Sequence, residues 1–158
     1  MEDSTDIKGI KGWLAFVGMG VILSPLIIIG TSGPNYVKIF SDGTWEILTT
    51  PGTHAFQPLW APVLIGEIIV NSGLVLAWSF AIFLFFATKK TFPSYYIGLR
   101  FAALVWVAVN PYIAELVVPD GRIFTPEVVQ ALIMDTVGTS IWVPYMAMSK
   151  RVKATFVK

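Results

Sequence analysis

The chain has 158 residues, 55% of them hydrophobic and only 13% charged, with a mean hydropathy of +0.71. A soluble domain carries about 25% charged residues; half that fraction leaves too little polar surface for water and makes lipid the natural solvent. The net charge of +1 excludes the concentrated basic surface that nucleic acid requires, and the lack of cysteine excludes disulfides, thiolate metal sites and cysteine nucleophiles.

A spanning helix needs about 20 mostly apolar residues, and four stretches qualify: residues 13–33, 61–88, 96–118 and 126–148. The first is uncharged. Its long apolar run and acidic leader MEDSTD read as a retained span rather than a cleaved signal peptide, with a kink at Ser24-Pro25. Residues 34–60 form an outer loop, too short for a core of its own. There YVKIF-SDG-TWEIL fits either a hairpin about Asp42-Gly43 or two short interfacial helices, with Tyr36, Ile39 and Phe40 on the apolar side of the first. Helices are preferred, because a lone two-stranded hairpin is marginal. The second span carries Gly73, Ala77 and Ala81 at a spacing of four, a stripe that lets another helix approach. Asn110-Pro111 predicts a kink in the third span. Thr125-Pro126-Glu127 opens the fourth with a capping hydroxyl, a proline in the first turn and an acid at the positive end of the dipole. The basic tail SKRVKATFVK occupies 149–158.

Four such spans put Lys8, Lys11, Lys89, Lys90, Lys150, Arg151, Lys153 and Lys158 on one side, and Lys38 and Arg122 on the other. The positive-inside rule then places both termini in the cytoplasm. Trp13, Tyr95, Tyr96, Trp142 and Tyr145 fall near the inner boundary, and Trp45 and Trp60 near the outer one, where aromatic rings anchor a protein. Arg100 lies in the third span near its cytoplasmic end and is expected to snorkel to the inner headgroups. With Lys150, Arg151 and Lys153 it makes a cytoplasmic interface. The tail is either a topology signal alone or a contact with the inner leaflet through Val152, Phe156 and Val157. The expected fold is all-α: an integral membrane four-helix bundle of one domain, both termini cytoplasmic, with a structured outer loop between its first two spans.

Three segments carry a resemblance over nearly the whole chain: GIKGWLAFVGMGVILSPL, LTTPGTHAFQPLWAPVLIGEIIVNSG and IWVPYMAMSKRVKATFV. As a set, Gly12-Trp13, Ser24-Pro25, the block from Thr50-Pro51-Gly52 to Glu67 and Asn71, and the tail from Ser149 to Lys153 resemble the bacterial inner-membrane family catalogued as domain of unknown function 2569. The resemblance implies four spans in a bacterial plasma membrane and no chemistry.

The polar residues inside the spans raise the functional question. In IGEIIVNSG, Glu67 and Asn71 lie one helical turn apart on the same face. At 1.5 Å of rise per residue, Glu67, Asn71, Asn110 and Asp135, from three helices, fall in one slab ~9–15 Å below the outer boundary. A carboxylate facing lipid costs about 2.5–3.5 kcal/mol, so both acids are expected to face the protein interior and to bond to Asn71, Asn110, Thr139 or each other. With no cation expected at that depth, desolvation and mutual repulsion predict that at least one acid is protonated or holds a cation or water. Glu115 is shallow and pairs with Arg122 in this reading. His54, the one histidine, reads as a solvated loop residue.

No H-E-x-x-H, G-x-S-x-G or phosphate-cradling glycine loop occurs, and two carboxylates without histidine are a weak metal signal. No cofactor, metal or catalytic residue is expected. The favoured function is a non-catalytic accessory, assembly or sensing component of the inner membrane, with the bilayer and a membrane protein or a second copy as partners. The alternative is a small proton- or cation-coupled transporter that uses the intramembrane acids and would need to oligomerise.

Overall fold

The computed structural model describes residues 8–118 and 123–158. Six helices follow in order: α1 Trp13–Ser41, α2 Thr44–Thr49, α3 Trp60–Phe86, α4 Phe92–Glu115, α5 Pro126–Met148 and α6 Lys150–Thr155. No strand occurs among the described residues. Among the described residues three helices, α1, α3 and α4, are long and apolar enough to cross a membrane. At 23 residues, or ~35 Å, α5 is nearly as long, but Glu127, Gln130, Asp135, Thr136, Thr139 and Ser140 dilute its hydropathy.

The first helix overruns its expected end. Gly33-Pro34 is a pair that usually stops a helix, yet α1 continues to Ser41 with Pro25 and Pro34 both inside it. The reason is register: Val17, Val21, Ile28, Ser32 and Tyr36 form one shielded stripe that runs through the proline. Ser24 Oγ and Thr31 Oγ1 donate back to the carbonyls of Gly20 and Ile27, at 2.7 and 2.8 Å, which satisfies these two hydroxyls within the helix. The expected loop of residues 34–60 therefore begins only after Ser41, and the first of its two expected helices is the end of α1. Asp42-Gly43 is a helix start rather than a hairpin tip: Gly43 takes φ +79°, and Asp42 Oδ1 accepts from the Thr44 N–H at 3.0 Å. The rings of Phe40 and Trp45, 5.1 Å apart, fold α2 onto α1. Gln57 ties the segment to the far end of α4, its Nε2 donating to the Leu116 carbonyl at 2.8 Å.

The long helices pack in series, α1 on α3, α3 on α4 and α4 on α5. The core sits at one end of this row, where Leu14, Val17 and Val21 of α1 meet Phe85 of α3, Phe92 and Tyr96 of α4, Met146 of α5, and Val152 and Phe156 of the tail. At that end the row closes on itself: the rings of Trp13 and Trp142 lie 6.0 Å apart, and the Gly9 N–H donates to Thr155 Oγ1 at 3.1 Å. Lys90 N–H donates to the Lys158 carbonyl at 2.6 Å, and Lys158 N–H to the Thr88 carbonyl at 3.3 Å. The segment entering α1, the α3–α4 turn and the tail thus share one end of the molecule, and with them the eight basic residues grouped by the sequence.

Tyr96, near the expected inner boundary, is 4% exposed and belongs to the core. The tail does not offer its apolar side to a leaflet, because Val152 and Phe156 are buried against the protein and only Val157 stays exposed. The stripe of small residues serves packing over part of its length: Ala81 is in the core and Ala77 packs against it, while a Cβ on Gly73 would meet open space. The tightest approaches at glycine are at Gly18, where a Cβ would lie 2.8 Å from the Phe85 ring, and at Gly138, where it would lie 2.7 Å from Arg100 Nη2.

Candidate functional site

Away from the packed end the four long helices enclose a cavity of about 850 Å³. Glu67, Asn71, Asn110 and Asp135 all line it, as do Arg100, Trp106 and, from the first turn of α5, Glu127. Helix offsets thus placed the four polar residues on a common wall. They do not form one network, however. Among the described residues two separate polar groups occur, and α4 contributes to both.

The first centres on Glu67. Trp106 Nε1 donates to Asn71 Oδ1 at 2.9 Å, Asn71 Nδ2 donates to the Tyr36 hydroxyl at 2.6 Å, and that hydroxyl donates to Glu67 Oε1 at 3.0 Å. An indole N–H can only donate, so Trp106 fixes the direction of the whole chain. Asn71 must present its oxygen to Trp106 and its NH₂ to Tyr36, and the tyrosine proton is left for the carboxylate. The expected pairing of Glu67 with Asn71 is therefore indirect, through a tyrosine from α1. A tyrosine on a helix leans toward the N-terminal end, which brings the Tyr36 hydroxyl down from the last turns of α1 to the level of Glu67 and Asn71.

The second group corrects the expectation that no cation lies at the depth of the acids. Arg100 Nη1 lies 3.2 Å from Asp135 Oδ1, with side-chain exposures of 13% and 25%. Its Nη2 donates to the Asp135 carbonyl at 3.1 Å and to Thr139 Oγ1 at 3.2 Å. Arg100 lies ~22 Å from the end of α4 and Asp135 ~14 Å from the start of α5, and the long arginine stem spans that offset. The guanidinium reaches inward to the acid and not outward to headgroups. Thr139 serves the arginine rather than either carboxylate. Gly138 completes the seat: a Cβ there would lie 2.7 Å from Nη2, so the guanidinium would have to shift out of its bonds.

The remaining candidates are peripheral. Asn110 lines the cavity without joining either network. Glu115 is exposed at the end of α4, and its expected partner Arg122 lies outside the described residues. His54 is exposed. Lys150 and Lys153 are exposed on α6, with Arg151 half-buried and its Nη1 enclosed without a hydrogen-bond partner. No group of three metal-ligating side chains occurs among the described residues.

Sequence reasoning missed Tyr36, Trp106 and Gly138. For Tyr36 the signal was present as the fourfold spacing Ile28, Ser32, Tyr36, obscured by Gly33-Pro34. For Trp106 it was the helical offset from Asn110, since Trp106 lies one turn earlier on the same face. Gly138 carried no signal, because only the position of the arginine makes that glycine necessary.

Chemically the site offers one carboxylate held by a directed relay, one carboxylate neutralised by arginine, and aromatic walls from Phe16, Trp78, Tyr96 and Trp142. No curated protein and no solved structure matches the chain. The family model described as "Protein of unknown function (DUF2569)" matches residues 7–157, and the chain belongs to that family.

Proposed function

We propose that the protein crosses a bacterial inner membrane four times, with both termini cytoplasmic, and acts there as a non-catalytic binding component, an accessory or sensing subunit whose working part is the cavity. The observation that carries this reading is that Glu67 and Asn71 of α3, Arg100 and Trp106 of α4 and Asp135 of α5 line one cavity of about 850 Å³ and are held by one another and by Tyr36 of α1. Arg100 is held by Asp135 and Thr139, and Tyr36, Asn71 and Trp106 are aligned on Glu67. Such a site is organised before any ligand arrives, which lowers the cost of binding.

The fourth span is supported by the meeting of Trp13 with Trp142, which brings the C-terminal part of α5 back to the start of α1. The orientation is supported by the eight basic residues at the end shared by the N-terminal segment, the α3–α4 turn and the tail. Transport of a bare cation or proton past Asp135 is the weaker reading, because a guanidinium already occupies the position beside that acid.

The test is native mass spectrometry of the full chain released from bacterial membranes. A retained small molecule at a ratio of one to one is expected. It should be lost in Gly20→Trp, which places a ring into the cavity from a position whose Cβ meets nothing within 4 Å. A wild-type protein that emerges empty from every membrane and binds no added amphiphile would refute the proposal.

A further inference from the structure

Resting on the reading of the cavity as a binding site, we infer that its ligand is a lipophilic organic cation, with Glu67 as the charge partner and the aromatic walls holding the apolar groups. The relay from Trp106 through Asn71 and Tyr36 ends on Glu67 Oε1. Oε2 takes no hydrogen bond among the described residues and is not one of the enclosed, unpartnered atoms, so it is accessible on a residue that lines the cavity. Among the described residues the one ion pair is Arg100 with Asp135. Glu67 therefore has a single donor, the Tyr36 hydroxyl, on one oxygen and, among the described residues, no basic side chain on the other.

The charge balance agrees. Among the described residues, Glu67, Glu127 and Asp135 line the cavity against one cation, Arg100, whose charge is engaged by Asp135. Five aromatic side chains, Phe16, Trp78, Tyr96, Trp106 and Trp142, line the same space, and ring faces attract cations most strongly where water is excluded. The volume is in the range of sites for small organic molecules. Beside the cavity, Ile27 and Met134 are exposed on α1 and α5, the two helices whose mutual contact is at the tryptophan end, so the way in is apolar. An anion would have to displace Asp135 from Arg100. A metal ion would find no set of three ligating side chains among the described residues. An uncharged acyl chain would leave Glu67 Oε2 without a partner.

The experiment titrates tetraphenylphosphonium into the full chain in detergent and reads the quenching of tryptophan fluorescence. Saturable one-site binding is expected, weakened about tenfold or more in Glu67→Gln by loss of the charge partner and held within about threefold in Glu67→Asp, which keeps it. A neutral molecule of the same shape, tetraphenylsilane, should fail to displace the cation; this arm needs no variant and stands even if Glu67→Gln does not fold. Equal displacement by tetraphenylsilane, or undiminished binding in a folded Glu67→Gln, would overturn the inference. Binding of the neutral amphiphile monoolein, abolished by Gly20→Trp, together with no binding of tetraphenylphosphonium would also overturn the ligand class while leaving the cavity reading intact. Binding of neither molecule would remove both.

Discussion

Thr88 takes φ +51°, a left-handed conformation that a β-branched residue seldom adopts. It ends α3 in a Schellman arrangement: Thr88 N–H donates to the Phe85 carbonyl at 3.1 Å and Lys89 N–H to that of Leu84 at 3.0 Å, at the position where glycine is usual. Thr88→Gly should therefore stabilise the protein by about 1 kcal/mol, read as a rise in thermal midpoint in detergent. The Arg100–Asp135 pair gives the opposite kind of residue effect. Asp135→Asn leaves a half-buried guanidinium without its counter-ion and should cost about 2 kcal/mol. The double exchange Arg100→Met with Asp135→Leu should recover most of that loss in the same assay, because the destabilisation comes from an orphaned charge and not from the missing pair. Gly138→Ala should destabilise by about 1–3 kcal/mol, as overpacking does, whereas Gly73→Ala, facing open space, should not. The two acids were legible from helical offset alone. Their partners were not, for a physical reason: offset locates a Cα, while Tyr36 and Arg100 act through long side chains that shift their polar atoms along the helix axis.

At the scale of elements, the tail is the least expected part. Phe156 stacks on Phe92 with ring centroids 4.7 Å apart and lies 5.7 Å from Phe85, so α6 closes the core. Phe156→Ala should cost about 3 kcal/mol, while Val157→Ala, on an exposed residue, should be near neutral; denaturant titration of both variants separates core packing from contact with a leaflet. The apolar pair Val152 and Phe156, one turn apart, held this information in the sequence. The adjacent lysines and arginine suggested a lipid surface, and only the position of Phe85 and Phe92 decides for protein. The start of α2 is electrostatic instead. The hydroxyl and N–H of Thr44 hold the Asp42 carboxyl below the usual carboxylate range. A depressed carboxylate stabilises the fold above the ordinary aspartate pKa, and the contribution disappears as pH falls through the folded value. The Thr44 amide resonance should follow that titration, and Asp42→Asn should remove most of its pH dependence.

For the whole molecule, hydropathy made the all-helical, membrane-like class plain, while the hollow could not be read from it, since a cavity is a property of four helices spaced apart and not of any one of them. The proposed four-span topology makes a direct prediction. With no native cysteine, His54→Cys and Lys153→Cys can be labelled one at a time in intact cells with a membrane-impermeant thiol reagent, and only the first should react. The closure of the core by α6 also has a consequence for biosynthesis. Leu14 and Phe156 belong to the same cluster although they stand at opposite ends of the polypeptide. At about 5–20 residues per second of translation, α1 waits in the bilayer for on the order of ten seconds before the segment that completes its core exists. A ribosome stalled anywhere before residue 152 therefore leaves Phe85 and Phe92 uncovered, a surface by which quality-control proteases could distinguish the unfinished protein from the finished one.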